Sequence, residues 1–334
     1  MVYIVMNNNF MVYVKVAVTG GLGFIGSNFI EYIIKKHANW QVLNLDKETY
    51  AANKTYLSEY ENNSQYEFIK GDISVKSEIE KHLQDVDIIV NFAAESHVDR
   101  SIADSSVFIS SNYVGVKNLL EIATERNIRF HQVSTDEVFG SLPLNSRRKF
   151  NEETKYDPKN PYSATKAAAD HLAMAFHNTY GTKVTISYSG NNYGPHQYPE
   201  KLIPKTIISI YKGRKVPIYG NGLQRRDWVY VSDHCTAIDK ILMKSDPGER
   251  YVISSGTEKQ NIEIVNKIAR MMNAKGEIIE YIKDRPGHDV RYSSDSSLIM
   301  KKLGWKPQYS FDDALLITIN HYINNITMYC KNTT

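Results

Sequence analysis

The chain reads as an α/β protein built on a doubly wound parallel sheet, with a smaller, mixed C-terminal lobe. Three observations predict this. Short β-branched runs alternate with helical patterns through the first half of the sequence. Those runs are apolar almost throughout, as strands buried on both faces must be. After about residue 189 the regularity gives way to stretches rich in Pro, Gly, Asn and Tyr.

Strand character falls at 14–18, 42–45, 67–70, 88–92, 130–134 and 184–188, and helices are expected near 25–37, 75–84, 112–126 and 161–180. In the second half Pro195, Pro199, Pro204, Pro217, Gly220, Gly222, Pro286 and Gly287 break the chain into loops and short elements, a composition suited to walls around a site. A helical stretch within 228–255, with a strand-like run at 251–253, returns to the sheet. The sheet domain is therefore expected to comprise 11–188 plus about 228–255, and the lobe about 189–227 and 256–323. Residues 1–10, ahead of a second Met-Val-Tyr at Met11, and 324–334, which begin a polar end, are expected to be loose termini.

Composition excludes several classes. With 334 residues, 42% hydrophobic and 23% charged, the chain buries a sizeable core without crosslinks. A net charge of +3, with basic residues scattered and only short clusters such as Arg147-Arg148-Lys149 and Arg225-Arg226, lacks the dense stripe of a nucleic-acid binder. Its two cysteines, Cys235 and Cys330, form no CxxC pair and have no accompanying histidine spacing, so neither a disulfide scaffold nor a metal site is expected; Cys235 reads as a small buried residue on a helix. No run approaches the ~20 apolar residues of a membrane span. The first eighteen residues lack a basic start and are interrupted by Asn7-Asn8-Asn9, so they do not read as a signal peptide. A cytoplasmic enzyme is expected.

The run at 14–18 leads into Thr19-Gly20-Gly21-Leu22-Gly23-Phe24-Ile25-Gly26 and then a helical pattern. Gly20, Gly23 and Gly26 permit a tight turn, close approach of backbone to a pyrophosphate, and close helix packing, while the helix N-terminus attracts the phosphate charge. Asp46 ends the next strand, twenty residues beyond Gly26, where a carboxylate accepts hydrogen bonds from a ribose and repels a 2′-phosphate. Together these are a Rossmann fingerprint and predict NAD rather than NADP. Asp72-Ile73 follows the third strand, and Asp72 either meets the adenine or caps the next helix. Phe92-Ala93-Ala94 ends the fourth strand with small residues at the cofactor's edge. Phe24, Ile25, Lys47, Thr49, Ser96, Ser111 and Asn192 complete the expected cofactor shell.

Tyr162 and Lys166 stand four apart in Asn160-Pro161-Tyr162-Ser163-Ala164-Thr165-Lys166, where proline and the following alanines favour a helix. That spacing sets both on one face, so the ammonium can bring the phenol into range as a base. Among 23 tyrosines such a pair alone means little. Joined to the glycine loop, it resembles the extended short-chain dehydrogenase/reductase family over about 14–323. Ser134-Thr135-Asp136-Glu137-Val138-Phe139-Gly140 follows a strand and places two carboxylates at the sheet's carboxyl edge, an arrangement that divides acid and base work. It resembles the Thr-Asp-Glu signature of the dTDP-glucose 4,6-dehydratase family, although many relatives carry Tyr where Phe139 stands. Further runs agree with that family: 95–101 (Glu-Ser-His-Val-Asp-Arg-Ser), 191–195 (Asn-Asn-Tyr-Gly-Pro), 201–204 (Lys-Leu-Ile-Pro), 226–228 (Arg-Asp-Trp) and 284–289 (Asp-Arg-Pro-Gly-His-Asp).

The resemblance implies that Tyr162, with Lys166, takes the 4-hydroxyl proton of a nucleotide-linked glucose while a hydride passes to NAD. Thr135 bonds the 4-hydroxyl; once C4 is a ketone, Glu137 removes the C5 proton and Asp136 protonates the departing 6-hydroxyl, after which the hydride returns to C6 and a proton to C5. It also implies a nucleotide-sugar site formed by Ser96, Thr135, Asn191, Lys201, Leu202, Pro217, Ile218, Tyr219, Arg226, Asn261, Asp284, Arg285 and His288, with Arg226 and Arg285 on phosphate oxygens and Tyr219 against a base. His97 reads equally as catalytic or as a support for the loop. A homodimer packed through 101–126 and 161–180 is expected. The alternatives are a 4-epimerase, which the Asp136-Glu137 pair disfavours, or a decarboxylase of the same fold, and an NAD-binding regulator without catalysis. The base on the nucleotide is left open among thymine, uracil and cytosine.

Overall fold

The computed structural model describes residues 13–284 and 287–330. Seven strands form the main sheet: β1 (Val14–Thr19), β2 (Trp40–Asp46), β3 (Tyr66–Lys70), β4 (Ile88–Asn91), β5 (Arg129–Thr135), β6 (Val184–Ser189) and, after the short strands β7 (Asn191–Tyr193), β8 (Val216–Tyr219) and β9 (Arg225–Tyr230), the edge strand β10 (Arg250–Ile253). Their order is β3-β2-β1-β4-β5-β6-β10, and every neighbouring pair is parallel. The chain winds outward from β1 to β3, crosses back, and continues from β4 the other way. The ends of β1 and β4 therefore open a crevice at the point of reversal.

Alternation along β1 explains why its sequence is apolar on both faces. Val16 and Val18 enter one core with Phe29, Ile30 and Ile238, whereas Ala17 enters the other with Leu43, Leu45, Leu119 and Phe130. The first core is covered by the helices Phe24–Lys36 and Val231–Lys244, the second by Gly115–Glu125 and Pro161–Tyr180. The last of these is sharply bounded. Asn160 and Ser163 form a capping box around Pro161, the first helical residue, and Gly181 ends the helix at φ 71°.

The lobe holds a three-stranded sheet, in which β9 lies between parallel β7 and antiparallel β11 (Glu258–Gln260), and a parallel pair of β8 with β12 (Ile279–Ile282). Cys235 is buried on a helix, as expected. Among the described residues no helix is long and apolar enough to cross a membrane.

Three expectations need correction. The helix expected near 112–126 is preceded by a turn at Ser106–Ile109 and a π-helical turn at Ser110–Val114, an insertion that leaves no periodic trace in the sequence. The helix near 75–84 divides into Lys76–Ile79 and a 3₁₀ turn, Glu80–Leu83. The end beyond 324 is not loose through Cys330: Ile326–Cys330 is helical, Tyr329 is buried against Tyr322, and its hydroxyl lies 2.7 Å from His321 Nε2. Aromatic packing outweighs the polar composition there. Residues 1–10 lie outside the described residues.

His131 on β5 is fully buried, with Nδ1 2.9 Å from Thr185 Oγ1 and Nε2 3.1 Å from Ser187 Oγ. Burial, helped by Arg129 and His234, pushes its pKa down to about 3. The folded ring stays neutral where the unfolded one takes up a proton, so its contribution is present above the unfolded pKa of about 6.5 and is lost as pH falls toward 3. In H131Q the stability gap to the unmutated protein is expected to narrow by up to about 2 kcal/mol between about pH 7 and about pH 5. Thermal melts at the two pH values measure this, and a constant gap would count against it.

Candidate active site

The crevice is shaped first by glycine. β1 ends at Thr19 and turns at Gly20, whose φ of 72° a side chain rarely adopts; a Cβ there would stand 2.6 Å from the Ala93 nitrogen. A Cβ on Gly26 would stand 2.4 Å from the Gly20 carbonyl. The loop is thus pressed between the segment after β4 and the start of the Phe24–Lys36 helix. That helix has no side-chain cap and no acidic residue in its first turn, so its leading amides favour an anion. Asp46 closes the far side: Oδ2 accepts from the Leu22 amide at 3.1 Å and Oδ1 from the Glu48 amide at 2.8 Å. Burial raises its pKa, and these two bonds oppose the shift. The cradle that added Cβ atoms would fill, and the carboxylate beside it, fit a dinucleotide.

The resulting cleft is lined by Gly20, Gly23, Phe24, Ile25, Gly26, Asp46, Lys47, Thr49, Ile73, Phe92, Ala93, Ala94, Ser96, Ser111, Tyr162, Lys166 and Lys201, all expected at the site. Two expected cofactor residues are not among its walls. Asp72 Oδ1 accepts from both the amide and the hydroxyl of Ser74 at 2.8 Å, and Oδ2 lies 3.6 Å from Lys47. It closes its own turn; the helix is capped at Val75. Asn192 is drawn toward the Val231–Lys244 helix, its Oδ1 2.9 Å from His234 Nδ1 and its Nδ2 donating to Ser189 Oγ and the Gly190 carbonyl.

Tyr50, Gln197, Tyr198 and Glu200 also line the cleft, and sequence reasoning missed them. The Tyr50 hydroxyl donates to Glu200 at 3.3 Å, and Arg100 stacks over the Tyr50 ring. The one signal is proximity to Lys201, but loop residues have no period to read. His97 Nδ1 accepts from the Arg100 amide at 3.3 Å, and Nε2 stands 3.4 Å from Glu200. It caps the Val98–Ala103 helix, the supporting role. Asn112, inside the π-helical turn, accepts from the Glu95 amide at 2.8 Å and donates to Thr165 at 3.0 Å, tying the loop after β4 to the Pro161–Tyr180 helix.

At the end of β5, Thr135 caps a 3₁₀ turn, Asp136–Phe139, with its hydroxyl accepting from the Glu137 amide at 3.3 Å. The turn brings both carboxylates to the sheet edge. Asp136 is buried, with Ser294 donating to Oδ2 at 3.4 Å; burial, then Glu137 and Asp227, push its pKa well above the usual carboxylate range. Tyr162 hydrogen-bonds Thr135, and burial together with Glu137 raises its pKa. The Lys166 ammonium donates to the Val133 carbonyl at 2.7 Å instead of meeting the phenol, so the expected direct lowering of Tyr162 is not made by contact. Phe139 fills an aromatic cluster with Phe150, Tyr156 and Tyr188.

The expected nucleotide-sugar residues are only partly brought together. Ser96 and Lys201 meet in the cleft, where Lys201 Nζ donates to the Ser96 carbonyl at 3.3 Å. Tyr219 donates to Asp99 at 3.2 Å and stands beside His288, which lies 2.6 Å from Asp284. Gln224, unmarked in the sequence, joins this group through Asp284 at 3.0 Å. Asn191 begins β7, Leu202 and Asn261 begin helices, and Pro217 is a half-buried residue of β8. Two others are packed into the scaffold. Ile218 lies with Val216 and Val265. Arg226 is buried, donating to the carbonyls of Arg225 and Asp289 at 2.8 Å and stacking 4.2 Å over Tyr292. Arg285 lies outside the described residues.

A family model described as GDP-mannose 4,6 dehydratase matches residues 17–318. The dTDP-glucose 4,6-dehydratase of Haemophilus influenzae is 44% identical, covering 93% of this chain and 98% of its own. Two solved dTDP-glucose 4,6-dehydratases are each 39% identical and cover 96% of this chain and 100% of theirs. That of Streptomyces venezuelae, with NAD bound, gives a TM-score of 0.92, and that of Bacillus anthracis, in complex with NAD, gives 0.90. The chain therefore belongs to the nucleotide-sugar 4,6-dehydratase family, with dTDP-glucose 4,6-dehydratases among its relatives.

Proposed function

We propose that the protein converts dTDP-glucose to its 4-keto-6-deoxy form with NAD as cofactor. The observation that carries this reading is the junction of a buried Asp136, its neighbour Glu137 and the Tyr162-Thr135 contact at one strand end, beside a dinucleotide-shaped cleft. The Tyr162-Lys166 pair would serve an epimerase equally well, but the two carboxylates would not be called for. NAD held by the glycine loop and Asp46 would supply the hydride acceptor for oxidation at C4 and the hydride donor for C6.

The chain's own groups then divide the proton transfers. Tyr162 takes the proton of the 4-hydroxyl, with Thr135 hydrogen-bonded to both. Once C4 is a ketone the C5 hydrogen is acidic, and Glu137 removes it. Asp136, whose burial favours the protonated form, donates to the 6-hydroxyl, which departs as water, and a proton returns to C5 as the hydride returns to C6. Ser96, Lys201 and the Tyr219-Asp284-His288 group hold the nucleotide diphosphate in this reading, with thymine as the base; their clustering supports it. Asp46 favours NAD over NADP. The sheet with β10 acts as the cofactor domain, 11–188 plus about 228–255, and the remainder as the sugar-nucleotide lobe.

Incubation with dTDP-, UDP- and CDP-glucose is expected to give the 4-keto-6-deoxy product fastest from dTDP-glucose; no product from any of them would overturn the assignment. The residue roles separate by partial reaction. E137Q and D136N are expected to slow elimination by ~10²-fold or more while still forming enzyme-bound NADH, whereas Y162F suppresses that NADH. Equal loss of bound NADH in all three would contradict these roles.

The functional unit is a homodimer in a reducing compartment, the cytoplasm. Two free cysteines agree with the compartment. Ile102, Val107, Ile109, Tyr113 and Val114 expose an apolar patch within the 101–126 segment expected to pair. Val107→Glu combined with Ile109→Glu is expected to yield a monomer by light scattering, and an unchanged mass would exclude this face.

A further inference from the structure

The Pro161–Tyr180 helix carries Tyr162, Lys166 and Asp170 at successive four-residue steps, a spacing that places all three on one face. Each meets a different residue at the end of β5. Tyr162 hydrogen-bonds Thr135, Lys166 Nζ donates to the Val133 carbonyl at 2.7 Å, and Asp170 Oδ2 accepts from Ser134 Oγ at 2.5 Å. Asp170 is fully buried, at 0% exposure, and its Oδ1 has no hydrogen-bond partner among the described residues. The groups that face it are Lys166 and Tyr162 from its own helix, Tyr156 from the preceding loop, Tyr188 from β6 and Arg250 from β10. Burial pushes its pKa up to about 7, and Lys166 pulls it back down.

A buried carboxylate is costly, and packing alone does not call for one here, since an asparagine of the same shape would also accept the Ser134 bond. What the asparagine lacks is charge. Lys166 is itself buried, its pKa is lowered by desolvation, and Asp170 opposes that lowering. Among the chain's groups at this face, Asp170 is placed to preserve the cation.

We propose that Asp170 is a positioning residue for the oxidation step, supplying the counter-charge that keeps Lys166 cationic at the cleft wall that it shares with Tyr162. This rests on the assignment of Tyr162 and Lys166 as the oxidising pair. Its consequence lies in the pH dependence of enzyme-bound NADH formation, whose alkaline limb reports loss of the Lys166 proton.

Single-turnover formation of bound NADH from dTDP-glucose, followed from neutral to alkaline pH in the NAD-loaded enzyme, tests it. D170N is expected to slow the step by about 10-fold at neutral pH and to move the alkaline limb down by about one pH unit. S134A, which keeps the carboxylate, is expected to keep the limb of the unmutated enzyme, as is D170E. A D170N limb that coincides with that of the unmutated enzyme overturns the proposal, and so does an S134A limb that moves as far as that of D170N. Folding is checked by melting. Asp170 has a raised folded pKa, so its charge costs stability as pH rises through about 7, and D170N is expected to melt no lower than the unmutated protein above that pH. A variant that fails to fold would make the role structural and also overturn the proposal. K166M separates the two layers of the argument: bound NADH formed at the normal rate would remove the oxidising pair itself, whereas its loss alongside an unaltered D170N removes only the role of Asp170.

Discussion

The register between the end of β5 and the Pro161–Tyr180 helix is the constraint on which the site depends. Val133, Ser134 and Thr135 each bond a different turn of that helix, so a slip of one residue in the strand would break all three contacts and reverse which side chains face the cleft. Asp136 and Glu137 follow immediately, held in a tight turn by the Thr135 cap. The distance from phenol to carboxylates is therefore fixed by backbone geometry and by the capping box and proline that start the helix at one residue. The same helix is tied to the loop after β4 through Asn112 and Thr165, which joins the proton-handling groups to the cofactor's edge of the sheet.

Burial dominates the electrostatics. Asp136, Tyr162, Lys166 and Asp170 are all removed from water, and desolvation heads the causes of every one of their shifts. In the acidic and phenolic groups it favours the protonated form, while in Lys166 it favours the neutral amine. Neighbours then decide which tendency is checked. Glu137 adds to the burial of Asp136, so one carboxyl of the adjacent pair is biased toward carrying a proton. Such a site sacrifices stability for reactivity, and two opposed cores packed on both sheet faces carry the cost.

Elements with strong local signals are legible in the sequence. The apolar strands rest on continuous β-branched runs, the glycine loop on backbone angles that few residues tolerate, Asp46 on its place at a strand end, and the Tyr162-Lys166 spacing on a four-residue step. Less legible are features whose cause lies in distant partners. Position after a strand points Asp72 and Asn192 toward the cofactor, yet Ser74 and His234 take their side chains elsewhere. Arg226 has the residue type of a phosphate ligand, but carbonyls from 289 and 225 and the ring of Tyr292 occupy it. The π-helical turn at Ser110–Val114 inserts without disturbing composition.

By itself the sequence determined the fold class, the dinucleotide loop and the close spacing of Tyr162 with Lys166 and of Asp136 with Glu137, because each depends on local stereochemistry or on a spacing that a single helix or strand converts into geometry. Tertiary structure decided which of those residues share a surface. Gln224 joins Asp284 across sixty positions, Glu200 faces Tyr50 across one hundred and fifty, and Ser134 meets Asp170 across a helix and a strand. It also decided their charge states, since desolvation depends on what the whole chain packs around a group and no window of sequence contains that environment.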